Sequence, residues 1–232
     1  RWVHVDTALV PGDSIKIRLY QSDEEFSIHV GSRELMSSGQ HESEDALADL
    51  GCRAVAGREA AVVLIGGLGM GYTLAAALDA LGADAQVVVA ELVPAVIDWN
   101  RDVIGHLARH PLRDPRVDVR TTDIAAMLRE GCGRYDAILL DVDNGPEALT
   151  HEDNDWIYSS AGLDAAWSSL TPGGVLAVWS AWPSAPFNHR LDRAGFSFEE
   201  VAIRAHDGDE GYMHYVWLAR RSADAPTALR AL

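Results

Sequence analysis

The chain is short of cysteine, short of positive charge and free of any long apolar run. Each shortage removes a class of protein. Its two cysteines, Cys52 and Cys132, lie far apart and match no metal-ligand spacing, so no metal is expected and a reducing cytoplasm is the compartment they suit. No stretch of about 18 consecutive apolar residues occurs, so no membrane span is expected. Lysine and arginine together number 19 against 35 aspartates and glutamates, a formal net charge of −16. Such a chain repels phosphate backbones and anionic lipid, which sets nucleic acid and membranes aside as partners; it would draw in a cationic substrate, although acidic surfaces more often serve solubility. There is no Gly-x-Ser-x-Gly elbow and no His-Glu-x-x-His helix, so two common hydrolase chemistries are excluded. His41, His151, His206 and His214 have no ligand spacing and are expected at the surface or hydrogen-bonded. No internal repeat and no signal peptide is present, and Arg1 is not an initiator residue, so upstream trimming is expected.

What the chain does have is an organising unit from Ala61 to Glu91. Ala61-Val62-Val63-Leu64-Ile65 is apolar on both faces and reads as a buried parallel strand. Gly66-Gly67-Leu68-Gly69-Met70-Gly71 follows, a turn that lets backbone approach a ligand closely. Leu74, Leu78 and Leu81 then recur at helical spacing, and Gly82 stands where a helix stops. Gln86 to Ala90 is a second strand, and Glu91 ends it. Backbone N–H groups at the start of the helix suit a negative group, and an acid at the tip of the second strand suits the two hydroxyls of a ribose. The dinucleotide pattern Gly-x-Gly-x-x-Gly fails, because after Gly67 and Gly69 the third glycine would fall at Tyr72. That favours the related α/β fold that binds S-adenosylmethionine.

Residues 1–50 read differently. Ile15, Ile17 and Leu19 alternate with polar residues, Ser22 to Glu25 turn, and Phe26, Ile28 and Val30 alternate again. This predicts a β-hairpin region, closed by a short helix over 44–50. Residues 51–221 form the nucleotide-binding domain, and 222–232 a tail. After Glu91, Pro94 opens a helix whose apolar face runs through Val96, Ile97, Ile104 and Leu107. A third strand ends near Asp123, a short helix starts at Ile124, and a fourth strand, Tyr135 to Leu140, ends on Asp141. One helix is expected from Asp155 to Leu170, a turn at Thr171 to Gly174, a strand at Val175 to Trp179 and a short helix from Arg190 to Gly195. The last two strands are joined by too short a link for a crossover, so they pair antiparallel. The fold class is therefore α/β: a Rossmann-like, seven-stranded methyltransferase sheet with helices on both faces, preceded by the hairpin region.

In such sheets ligands lie at the carboxyl ends of the strands. Glu91, Asp123 and Asp141 fall at three successive strand ends, where each either faces the ligand or caps a helix or lies in a solvated loop, the two readings being evenly balanced for Asp123. Asp143 returns to the side of Asp141 if the chain stays extended, and two such carboxylates raise one pKa towards neutrality, as a general base needs. Trp179 and Trp182 lie at the end of the fifth strand and either wall a cation or pack apolar neighbours. Asn154, Trp156 and Tyr158 either line the same mouth or pack the next helix.

From about Tyr20 to Trp182 the chain resembles the spermidine synthases, the aminopropyltransferases. Tyr20-Gln21 is similar to the family's cofactor-touching strand glutamine. Val63 to Gly67 resembles its first strand and glycine turn, and Glu91 its ribose-binding acid. Asp114 to Val117 resembles its entry to the third strand, Asp123 with Ile124 its adenine side, Tyr135 to Asp141 its fourth strand and base, and Pro172-Gly173-Gly174 its lead into the fifth. The resemblance implies cofactor contacts from Gln21, Gly66, Gly67, Gly69, Gly71, Glu91, Asp123, Ile124 and Asp141, with Asp141 and Asp143 catalytic. The chain departs from the family at three places. Gly69 stands where the family turn carries an Asp that holds the cofactor's amine end. Asn144 replaces the second acid after Asp141. Gln40-His41-Glu42-Ser43-Glu44 lacks the tyrosine of the segment that grips the polyamine.

The expected activity is spermidine synthase-like transfer to a small, cationic amine, with decarboxylated S-adenosylmethionine or S-adenosylmethionine as the cofactor. Small-molecule methyl transfer and an inactive nucleoside-binding relative are the alternatives. By analogy with relatives that pair through the hairpin, a homodimer is expected.

Overall fold

The computed structural model describes residues 1–141, 156–204 and 213–223. Asp143, Asn144, His151, Asn154, Asp155, His206 and the expected tail from 224 onward lie outside these residues.

The N-terminal hairpin is the centre of a larger sheet. Strands β1 (Val3–Leu9), β2 (Lys16–Ser22), β3 (Glu25–Val30) and β4 (Arg33–Ser37) pair in chain order, all antiparallel. Ile17 and Leu19 face Val30 and Ile28 across the central pair, and alternation puts their side chains on one buried face. Helix α1 (Glu42–Arg53) is longer than expected and sits on the second sheet. Its buried stripe is Ser43, Leu47, Ala48, Gly51 and Cys52, at helical spacing. Gly51 marks the closest approach: a Cβ there would lie 2.3 Å from Leu139 Cδ2 and 3.2 Å from the Ala177 Cβ.

The second sheet has seven strands in the order β10-β11-β9-β8-β5-β6-β7. These are β5 (Val62–Gly66), β6 (Gln86–Glu91), β7 (Val117–Thr121), β8 (Tyr135–Leu140), β9 (Leu170–Ser180), β10 (Ser197–Arg204) and β11 (Met213–Arg220). Strands β5 to β9 are parallel, and the β10–β11 hairpin adds antiparallel at one edge, as expected. Side-chain alternation builds two cores. Val63, Ile65, Val87, Val89, Leu139 and Ala177 pack on one face, while Leu64, Val88, Ile138, Leu140, Leu176 and Val178 pack on the other. Helices α2 (Tyr72–Ala80), α3 (Pro94–Asp102), α4 (Ile124–Arg129), α5 (Ser160–Ser169) and α6 (Ala185–Arg193) cover the faces.

Four local expectations are corrected. The helix expected over 155–170 breaks at Ser159, whose hydroxyl caps a new helix by accepting from the Gly162 N–H. Thr171 to Gly174 is a bulge inside β9: the register moves from Tyr135–Leu170 to Ala137–Val175, and Gly173 takes φ +73°. Helix α3 stops at Asp102 and the chain tightens into a 3-10 turn, Gly105–Ala108, in which a Cβ on Gly105 would lie 2.1 Å from the Asn100 carbonyl oxygen. Helix α6 starts at Ala185, because Ser184 caps it.

The seat of α1 on the sheet is testable. Gly51→Val should lower unfolding free energy by about 1–3 kcal/mol, the usual cost of overpacking. An unchanged denaturant midpoint would mean that α1 is not pressed against Leu139.

Candidate active site

Strand β5 ends on Gly66, and the chain turns over Gly67, Gly69 and Gly71 before α2 begins. These three take φ of +89°, +53° and +85°, a region that costs an L-residue about 1–2 kcal/mol at each position. The turn is held from below by Glu91. One of its carboxylate oxygens accepts the Leu68 N–H at 2.9 Å, and the other accepts the Val93 N–H at 2.8 Å. Burial pushes the Glu91 carboxyl up from its ordinary range, and the backbone N–H groups around it pull the other way. Asn100, on α3, holds the turn from the side by donating to the Gly69 carbonyl at 2.7 Å.

From above, the turn is covered by the first sheet. A Cβ on Gly69 would lie 2.7 Å from Cε of Met36, on β4. The room beside Gly69 thus holds a thioether. Tyr72 fastens this cover: its hydroxyl donates to the Ser38 carbonyl at 3.2 Å, and its ring stacks on His41 at 4.1 Å. Burial, then the charges of Glu44 and Asp45, push the Tyr72 hydroxyl up to about 12, so it remains a donor.

Two connected spaces result. A small hollow of about 20 Å³ lies against Gly67, Gly69 and Thr73. A wider cleft of about 280 Å³ opens beside it, walled by Gln40, Ser43, Trp179 and His214. Met36, Glu44 and Asp141 line both. Neither has a lysine or arginine in its wall among the described residues.

Asp141 is the centre of the charge. Its residue surface is half-buried, but its carboxyl is closed in by protein. That burial, and then the Glu44 charge, push it up to about 8. Glu44 is raised as well, chiefly by burial, while the Ser43 hydroxyl donating to it at 3.1 Å opposes the shift. The like-charge neighbour of Asp141 therefore comes from α1. The sequence reading gave that part to Asp143, which lies outside the described residues.

The other expected site residues are placed as follows. Gly67, Gly69 and Asp141 come together around the hollow. Gly66 ends its strand inside the core, and Gly71 caps α2, where a Cβ would lie 3.0 Å from Asn100 Oδ1. Gln21 does not reach the cleft: its side chain donates to the Asp23 carbonyl within its own hairpin. Asp123 caps α4 by accepting the Ala125 N–H at 2.8 Å, and Ile124 is buried in the second core. Trp179 walls the cleft edge-on to His214, with ring centroids 4.8 Å apart. Trp182 is half exposed and lines neither space. Trp156 lies under the Arg129 guanidinium, 4.1 Å from its ring centre, and Tyr158 is buried.

The sequence reading missed Met36, Glu44 and His214 as site residues. Glu44 stands among Glu42 and Asp45 in the first turn of a helix, where acids are ordinary. Its place in the Gln40–Glu44 segment, where the family grips the polyamine, was the available signal, and the missing tyrosine obscured it.

No family model matches the chain, and no curated protein matches its sequence. Solved structures do match its shape. A spermidine synthase from Thermotoga maritima superposes with a TM-score of 0.75 over 95% of this chain and 74% of its own, at 16% identity. A spermidine synthase in complex with the transition-state analogue AdoDATO gives 0.72, over 95% of this chain and 73% of its own, also at 16% identity. The chain has the spermidine synthase fold. That fold includes the four-stranded N-terminal sheet as well as the seven-stranded one. Among the described residues of this spermidine synthase-like fold, no group of three His, Cys, Asp or Glu is arranged to hold a metal ion. No helix among them is long and apolar enough to cross a membrane.

The Asp141 environment has a consequence for stability. In the unfolded chain this carboxyl titrates near 3.8, but in the fold near 8. The folded state therefore holds the proton more tightly, and the contribution is fully present below the unfolded value and lost as pH rises through about 8. Asp141→Asn should raise the melting temperature relative to the parent chain, by little at pH 4 and by more at pH 8.5. A difference that does not grow with pH would remove the burial argument.

Proposed function

We propose that the chain is a transferase that alkylates a small, cationic amine from an adenosyl sulfonium donor, with aminopropyl transfer as the reaction and Asp141 as the base. The observation that carries this reading is the Asp141 carboxyl at the junction of the glycine-turn hollow and the open cleft, raised by burial and by Glu44. An ammonium has no lone pair and cannot attack carbon, so a group at the junction must take its proton first. A carboxylate titrating near 8 is a stronger base than an ordinary aspartate and is still ionised in part at neutral pH. The donor, when bound, would supply a carbon made electrophilic by the neighbouring sulfonium: the amine nitrogen forms a C–N bond to it as the C–S bond breaks, and the electron pair leaves with sulfur as the neutral thioether methylthioadenosine.

The rest of the machinery binds and orients. The glycine turn offers backbone without side chains beneath the adenosyl group. Each Glu91 oxygen holds one backbone N–H and keeps a lone pair for a ribose hydroxyl. Asp123, fixed by its cap, stands at the neighbouring strand end, where the family resemblance puts the adenine. The acidic wall, without lysine or arginine among the described residues, suits an amine acceptor, and Trp179 adds an aromatic face beside it. The likeness in fold to a spermidine synthase caught with AdoDATO supports the same reading.

Calorimetry with S-adenosylmethionine, its decarboxylated form and methylthioadenosine tests the adenosyl site; failure of all three to bind sinks the proposal. Glu91→Ala should weaken whichever ligand binds by about 1.5–3 kcal/mol, the range for a hydrogen bond to a charged group. Unchanged affinity in a folded variant would remove the ribose assignment. With an amine acceptor supplied, kcat/KM should rise with pH towards about 8 as Asp141 loses its proton. Asp141→Asn should lower turnover about 10²–10⁴-fold with adenosyl affinity near normal. Full turnover in that variant would refute the base.

A further inference from the structure

The two spaces meet at three residues, Met36, Glu44 and Asp141. Their chemistry is uneven. Asp141 ends β8 and faces the reacting centre of the proposed transfer. Glu44 comes from another element, the first turn of α1, and brings a second carboxylate where the wall offers no lysine or arginine among the described residues. Two carboxylates in a shared enclosure repel one another, and a cation placed between them removes that repulsion. Ser43 donates to one Glu44 oxygen and fixes its direction. The other titratable groups beside Glu44 on this segment are the N-cap residue His41 and Asp45, which pair with each other at 2.9 Å. Two polar atoms of the same cleft wall, Trp179 Nε1 and His214 Nδ1, are buried with no partner among the described residues, which marks the cleft as built for a polar ligand.

Steric limits act in the same direction. Met36 presses on Gly69, and the hollow beneath it has a volume of about 20 Å³, near that of a single water. A branched tail that carries both an amine and a carboxylate would be bulkier against the thioether and would add negative charge to a wall that already holds the carboxyl groups of Glu34, Glu44 and Asp141. An unbranched tail ending in an ammonium is narrower and adds positive charge instead.

Resting on the transferase reading above, we propose that Glu44 is a specificity-determining residue of this site. Its carboxylate holds the ammonium that ends the donor's tail and, with Asp141, turns away a tail that keeps a carboxylate. Met36 is the steric half of the same selection.

The test uses three adenosyl ligands, of which the two sulfonium donors differ from each other only by the tail carboxylate, while methylthioadenosine is a neutral thioether without the tail. Methylthioadenosine has no amine, decarboxylated S-adenosylmethionine has an amine, and S-adenosylmethionine has an amine and a carboxylate. The parent chain should bind the decarboxylated form more tightly than S-adenosylmethionine. Glu44→Gln should weaken the decarboxylated form about 10- to 100-fold and leave methylthioadenosine within about twofold. Glu44→Asp, which keeps the charge, should retain the order of the three ligands; it carries the test if Glu44→Gln does not fold. Equal loss for all three ligands would make Glu44 a structural residue and overturn the assignment. So would a parent chain that binds methylthioadenosine but shows no preference between the two longer donors, and in that case the adenosyl site itself would stand. Binding of none of the three overturns both.

Discussion

A buried carboxylate under a glycine turn sets the geometry of this molecule. Glu91 is 8% exposed, and burying an ionised carboxylate costs several kcal/mol. The cost is offset by backbone N–H donors, each charge-assisted bond contributing about 1.5–3 kcal/mol. Two such bonds, from Leu68 and Val93, make the burial sustainable, and they tie the turn after β5 to the turn after β6. The three left-handed glycines are the condition for that tie, because only glycine takes such a backbone without strain. The hollow, the start of α2 and the adenosyl-binding reading all follow from the position of this loop.

The cover of the site comes from elsewhere in the chain. Met36 belongs to the N-terminal sheet and Glu44 to a helix seated on the large sheet, yet both reach the glycine turn. The seat depends on Gly51, which brings the α1 backbone close enough to touch Leu139 and Ala177. Tyr72 and His41 clasp the cover to the first residue of α2. A chain of packing contacts thus runs from the sheet core to the charges of the cleft. This is why the electrostatics of Asp141 depend on a residue almost one hundred positions away in sequence.

Much of the fold was legible because it rests on short-range patterns. Continuous apolar runs announced β5, β6 and β8, and their alternation onto two faces followed from strand geometry. The short link between the last two strands required an antiparallel pair. The readings that failed were those in which a side chain competed with the backbone. Ser159 broke a helix by capping a new one, and the glycines at 173 and 174 let a turn fold into a strand as a bulge. Strand β1 was missed because its residues are mostly exposed, so no buried face imposed alternation on them.

The sequence by itself determined the α/β sheet, the glycine turn and the acids at the ends of β6, β7 and β8. Those features are local: each strand carries its own apolar pattern, and each acid is the next residue or two along the chain. Only the tertiary structure decided which groups share the cleft. It turned the Gln21 side chain back onto its own hairpin and committed Asp123 to a helix cap. It also brought Glu44 and Met36 to Asp141. The reason is that the pairing of charges in a cleft depends on the packing of α1 against β8 and β9. That packing is a property of surfaces far apart in sequence, and no periodicity within α1 records which strand end its first turn will meet.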